Sequence, residues 1–242
     1  MVMLLWALAL RDSKEGWKRE AALVLIAVAA NFKLYPAAFG VLYLLEKRWR
    51  EAVRLIVYGV VLFVVPFAWF GGWDGFLHFM DNQSQIHAQM RDDYLTSIPS
   101  AAAFLAGERG SDIPSAFGAG KIIAFAAAVP MLVGVVLDKR LWIRCLLLCS
   151  IFILVPGWSA EYMAVYMLLP LVLCYCTGEK GRWFGMYMAL FAGIFILLPF
   201  GVTFPVHTHL SWNTVVSFGC IYLITALGCV DAIGGWITRK KA

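Results

Sequence analysis

The sequence predicts an all-α protein, a multipass transmembrane helical bundle that contains a re-entrant helical hairpin. Three observations carry this expectation. Hydrophobic residues fill 62% of the 242 positions and charged residues only 14%, against about 25% charged in ordinary soluble domains. Apolar runs recur along the whole chain, parted by short linkers that are either basic or poor in Lys and Arg. Finally, one of these runs is broken in its middle by Lys33 and Pro36.

The apolar runs cover 2–10, 21–45, 52–70, 121–137, 141–156, 162–176, 183–200 and 214–236. No polar tract is long enough to fold as a separate soluble domain, so residues 1–242 read as a single transmembrane domain. The opening MVMLLWALAL has no basic n-region and no small-residue cleavage site, and reads as the tail of a membrane helix rather than a signal peptide. The ten Trp, nine Tyr and seventeen Phe supply interfacial anchors and packing bulk.

Basic linkers (RDSKEGWKRE, EKRWRE, DKR, GEKGR, TRKKA) alternate with linkers poor in Lys and Arg (71–120, GWSAEY, TFPVHTHLSW). The net charge of +5 resides in the basic linkers, a pattern of membrane topology rather than of nucleic-acid binding. Placing them on the cytoplasmic side gives a multi-pass protein of the cell membrane with a cytoplasmic C terminus.

The run 21–45 is then flanked on both sides by cytoplasmic linkers, so it must enter and return. As one straight helix it is about 37 Å long, enough for one crossing but not two. Pro36 lacks a backbone donor and disfavours helix at Tyr35, which predicts a break at KLYP and a hairpin of two half-helices. Irregular backbone at that depth must be buried in protein or line a wet cavity. Lys33 would then be an ammonium at the tip of the hairpin, meeting a lipid phosphate or another anion. The alternative is a lysine that snorkels to the headgroups from an ordinary helix.

Downstream, Phe76, Phe79, Met80, Ile86 and Met90 recur at helical intervals and predict an amphipathic helix on the outer surface. Its polar face carries Asp81, Asn82, Gln83, His87 and Arg91. Amides suit sugar hydroxyls, and Arg91 suits a bidentate phosphate contact, although a solvated charged face would look the same. Glu161, at the mouth of two helices, is a candidate general base or a residue that favours a helix N terminus. His207 and His209 fall on an outer loop without a further metal ligand nearby. Cys145, Cys149, Cys174, Cys176, Cys220 and Cys229 lie within apolar runs and read as small buried hydrophobes. The chain has no phosphate-binding glycine loop, no Ser-His-Asp arrangement and no zinc spacing, so no metal or cofactor is expected.

Taken in order, FKLYP, the basic-aromatic EKRWREA, DNQS at 81–84 and VPGWSAEYMAVYMLLPL at 155–171 resemble the C-terminal part of the glycosyltransferase 87 family. That family belongs to the GT-C superfamily of polyprenol-phosphate-dependent membrane enzymes. The resemblance implies a GT-C-like fold and transfer of a hexose such as mannose from a polyprenyl-phosphate-linked sugar donor to a lipid or glycan acceptor outside the cytoplasm. It implies that Lys33, Tyr35 and Arg91 hold the donor phosphate. Asp81, Asn82, Gln83, Ser84, His87 and Tyr162 would line the sugar or acceptor site, with Glu161 as the candidate catalytic residue. Enzymes of the superfamily carry a catalytic aspartate in a first long outer loop, which this resemblance puts on an N-terminal region or partner outside the chain. Two other classes fit the same residues: a non-catalytic subunit or fragment that binds the lipid carrier, and a transporter or flippase of an anionic lipid-linked substrate.

Overall fold

The computed structural model describes residues 1–89, 95–157, 159–178, 181–196 and 211–241. Among them the secondary structure is helical, with no β-strand. Three segments, Trp49–Ala68, Ile113–Leu137 and Trp212–Thr238, are long and apolar enough to cross a membrane. The protein is therefore the all-α membrane bundle that its apolar runs predict. Contacts along the chain gather into two units, Met1–Ile86 and His87–Ala242.

In the first unit α1 (Val2–Leu10) and α4 (Trp49–Val64) both pack on α2 (Gly16–Phe32). Alanines let them approach closely: Ala7 on α1, Ala22, Ala27 and Ala29 on α2, and Ala52 on α4 are all buried. α2 stops at Phe32, Lys33 is extended, and a 3₁₀ turn over Tyr35–Gly40 leads into the short α3 (Val41–Leu45). The turn folds back along α2 and buries Pro36 and Phe39. The linkers on either side of this excursion meet again. Arg11 is ion-paired to Glu46, and Arg48 to Asp12 at 2.8 Å. Two linkers gathered at one end are what a run that enters and returns requires.

α5 (Gly72–Gln89) follows α4 after a 3₁₀ turn over Val65–Ala68. It is anchored by an aromatic cluster in which Phe63 and Phe67 each meet Phe76 and Phe79 edge to face at 5.5–6.4 Å.

The second unit is built around α8 (Leu141–Leu154), which is apolar nearly all round and buried along most of its length. α7 (Ile113–Leu137) and α11 (Trp212–Lys241) pack on it, with α6 (Ile98–Glu108) on α7 and α10 (Phe184–Ile194) on α11. Glycines set these close approaches. A Cβ on Gly120 would lie 2.7 Å from Pro99 Cα, and one on Gly134 2.5 Å from Leu147 Cδ1. Inside the α8–α11 contact Thr225 donates to Ser150 at 2.7 Å, and Ser150 donates to the Leu146 carbonyl.

Basic linkers converge here too. Arg140 pairs with Asp138 at 2.7 Å and with Asp231 of α11 at 3.0 Å, and Tyr187 of α10 donates to Asp231. Burial alone would lower the Arg140 pKa, but the hydrogen bonds and charges of the two aspartates outweigh it and raise it overall.

Several boundaries differ from the sequence pattern. α7 begins at Ile113 rather than near 121, because packing against α6 through Gly120 extends the helix into a stretch of Pro, Ser and Gly. α6 occupies part of what reads as a linker, started by Ser97, whose hydroxyl accepts from the Ser100 N–H. The 162–176 run begins as a 3₁₀ helix over Glu161–Met167 and becomes α9 at Leu168–Thr177, while α10 ends at Ile194. Of the six cysteines only Cys145, Cys149 and Cys174 are buried; Cys176 is exposed, and Cys220 and Cys229 are half-buried on helix faces.

Candidate functional site

The first group of candidate residues surrounds the break after α2. Asn31 in its last turn donates to the Ala27 carbonyl at 2.8 Å and across to the Gly59 carbonyl of α4 at 3.2 Å. Gly59 lies midway along the segment Trp49–Ala68. Lys33, two residues beyond Asn31, therefore sits near mid-depth of a segment long enough to cross a membrane. A lysine at such a depth costs roughly 2.5–3.5 kcal/mol to insert. It is half-buried beside Tyr35, in backbone that runs extended and then 3₁₀, while Phe32 and Leu34 on either side are exposed.

α5 carries the second group. Asp81, Asn82, Gln83 and Ser84 are exposed along one helix. Asp81 accepts from the Gln85 amide at 2.9 Å, and the Ser84 hydroxyl donates to the Asp81 carbonyl at 2.7 Å. Asn82 and Gln83 project from the same two turns as Asp81. Arg91, His207 and His209 lie outside the described residues, as does the side chain of His87.

The third group lines an open pocket of the second unit. Glu161 opens the 3₁₀ helix and accepts a 2.5 Å hydrogen bond from Thr214 in the first turn of α11. Ser211 lies 2.9 Å from the Thr214 hydroxyl and accepts from the Thr214 N–H at 3.2 Å. With Glu161 ionised the proton order is forced: a carboxylate has no proton to give, so Thr214 donates to it and Ser211 donates to Thr214. Beside this relay is a cavity of about 230 Å³ whose polar lining is Glu161, Asn213, Thr214 and Ser217. Pockets that enclose drug-sized ligands run from about 300 to 1,000 Å³. This one is smaller and open on one side. Tyr162 is exposed next to Glu161.

The model of glycosyltransferase family 87 matches residues 1–156, well over half of the chain. The chain belongs to glycosyltransferase family 87. It is a membrane glycosyltransferase. Neither a curated protein nor a solved structure matches it.

The family match contains the Lys33 break, the amides of α5 and the start of the loop that leads to Glu161. The cavity of this family 87 enzyme lies beyond the matched stretch. The amino-acid sequence flagged Glu161 and Tyr162 but not Asn213, Thr214 or Ser217, which read there as ordinary residues at the start of an apolar run. It also passed over Lys121. That residue is the one charged side chain in Ile113–Leu137; the apolar run 121–137 starts at it, and the helix starts eight residues earlier.

Proposed function

We propose that this glycosyltransferase takes a hexose, mannose being the simplest case, from a polyprenyl-phosphate carrier and transfers it to a lipid or glycan acceptor on the extracytoplasmic face of the cell membrane. The observation that carries the proposal is a carboxylate, Glu161, held at the edge of a small open pocket in a family 87 membrane enzyme. An acceptor hydroxyl attacks the anomeric carbon of the sugar. The bond from that carbon to the phosphate oxygen breaks, and its electron pair leaves with the phosphate. The proton of the acceptor hydroxyl passes to a carboxylate, a role for which Glu161 is the candidate on this chain.

Lys33, Tyr35 and Arg91 are proposed to hold the phosphate, where a cation stabilises the charge growing on the leaving group. An ammonium at mid-depth suits a phosphate tethered to a membrane-embedded chain better than it suits a soluble nucleotide. Asp81, Asn82, Gln83, Ser84, His87 and Tyr162 are proposed to meet sugar or acceptor hydroxyls. The test offers native membranes containing the enzyme either a polyprenyl-phosphate-linked hexose or a nucleotide-linked hexose. Product from the lipid-linked donor that falls by about a hundredfold or more in Lys33→Met supports the reading. Product from the nucleotide sugar in membranes depleted of polyprenyl phosphate contradicts it.

A further inference from the structure

The stretches 11–20 and 46–54, which meet at one end of the first unit, carry five carboxylates, and each is already held. Asp12, Glu46 and Glu51 are paired with Arg11 and Arg48, Glu15 with Lys18, and Glu20 with Arg54. Four cations are left over. Lys14, Arg19, Lys47 and Arg50 are exposed, and among the described residues their side chains make no recorded ion pair or hydrogen bond. Trp17 in the first turn of α2 and Trp49 at the start of α4 are exposed in the same two stretches, at 65% and 61%. Trp49 also opens the segment Trp49–Ala68, which is long and apolar enough to cross a membrane, so the four cations gather at a membrane boundary.

Lys47 is held in a conformation that lysine disfavours. It ends α3 in a Schellman turn: its N–H donates to the Leu44 carbonyl at 3.0 Å, and the Arg48 N–H donates to the Tyr43 carbonyl at 2.8 Å. Its φ is 59°, and among the described residues it is the one non-glycine residue with a left-handed backbone. Glycine suits this position because it lacks the Cβ that crowds the neighbouring carbonyl. A lysine here gives up stability and gains one exposed charge. Strain of this kind persists where the side chain itself is needed.

We infer that this end of the first unit is a docking face for the headgroups of anionic glycerophospholipids such as phosphatidylglycerol. Charge complementarity selects the occupant: each exposed Lys or Arg adds attraction to an anionic leaflet. Arg19 and Arg50 can grip a headgroup phosphate through two N–H groups, and Trp17 and Trp49 suit the same interfacial depth. The ion pairs between the two stretches hold the four free cations together as one face. Lys33 lies past the other end of α2, so headgroup binding here is independent of the donor phosphate site proposed above.

The full chain is placed in nanodiscs of equal parts phosphatidylcholine and phosphatidylglycerol, and the lipids it retains on release are counted by native mass spectrometry. The wild type should retain phosphatidylglycerol in preference to phosphatidylcholine. Lys47→Gly should weaken that preference by about fivefold while the melting temperature stays level or rises, since glycine relieves the left-handed backbone. The quadruple variant Lys14→Gln, Arg19→Gln, Lys47→Gly, Arg50→Gln should abolish the preference. A matched control in the second unit, Lys139→Gln with Arg182→Gln, should keep it. A wild type with no preference, or a quadruple variant that keeps it, overturns the docking face. An equal loss in the control overturns it as well, because the headgroups would then answer to bulk charge. Displacement of the retained phosphatidylglycerol by an equimolar amount of polyprenyl phosphate overturns the assignment to glycerophospholipid. A Lys47→Gly protein that melts lower, or that keeps the full preference, overturns the role of Lys47.

Discussion

Thr214 Oγ1 donates a 2.5 Å hydrogen bond to Glu161 Oε1 and so ties the first turn of α11 to the 3₁₀ helix that opens the apolar run 162–176. One carboxylate oxygen is committed to this bond, and among the described residues the other accepts no recorded hydrogen bond. Because Ser211 backs Thr214 from behind, the carboxylate has a fixed orientation at the cavity.

That geometry predicts an asymmetry at position 214. Thr214→Val removes the donor while keeping the shape and should lower kcat by about tenfold, as expected for a hydrogen bond to a charged group. Thr214→Ser keeps the donor and should stay near wild type. Steady-state transfer kinetics decide the matter: equal losses in the two variants would mean that methyl packing, not the hydroxyl, is what counts.

A second prediction concerns the end of the first unit. Arg11 is 4% exposed and is held by Glu46 and Asp12. Burial alone would lower its pKa, and those carboxylates raise it overall. Glu46→Ala leaves a buried guanidinium with half its compensation and should destabilise the protein by about 3 kcal/mol. The melting temperature in detergent should fall clearly, and the double variant Arg11→Met, Glu46→Ala should recover part of the loss.

In the second unit, Asp138 and Asp231 share Arg140. The side chain of Asp138 is fully buried and also accepts the Arg140 backbone N–H at 2.8 Å, while that of Asp231 is 19% exposed. Asp138→Ala should therefore lower the melting temperature more than Asp231→Ala. The reverse order would show that the tie from α11 outweighs the cap on the α7–α8 turn.

Two glycines on α7 make a controlled pair. Gly120 faces Pro99 and Ala102 with no room for a Cβ, whereas Gly118 has nothing within 4 Å. Gly120→Ala should destabilise the α6–α7 contact by about 2 kcal/mol. Gly118→Ala should be neutral or stabilise by up to about 1 kcal/mol through its helix propensity. Thermal melts of the two single variants would expose any error in the α6–α7 packing.

Much of the fold is legible in the sequence because local chemistry governs it. Pro36 after a lysine announces the break in the run 21–45, and the basic linkers announce which ends gather together. The helix start at Ile113 is not legible, because packing on α6 overrides a stretch of Pro, Ser and Gly that has weak helix propensity. Half of the candidate site is legible on the same grounds. Lys33 and Glu161 stand out because a charge in an apolar context is conspicuous. Thr214 does not, since its role depends on a partner 53 positions away that no local pattern encodes.

The most direct test of the central claim is the rate of hexose transfer from a polyprenyl-phosphate-linked donor by Glu161→Gln, measured against wild type in the same native membranes. Glutamine keeps the shape and can still accept from Thr214, but it cannot take a proton. A loss of about 10²–10⁴-fold with donor binding intact is the predicted result. A Glu161→Gln enzyme that transfers sugar at the wild-type rate would contradict the account.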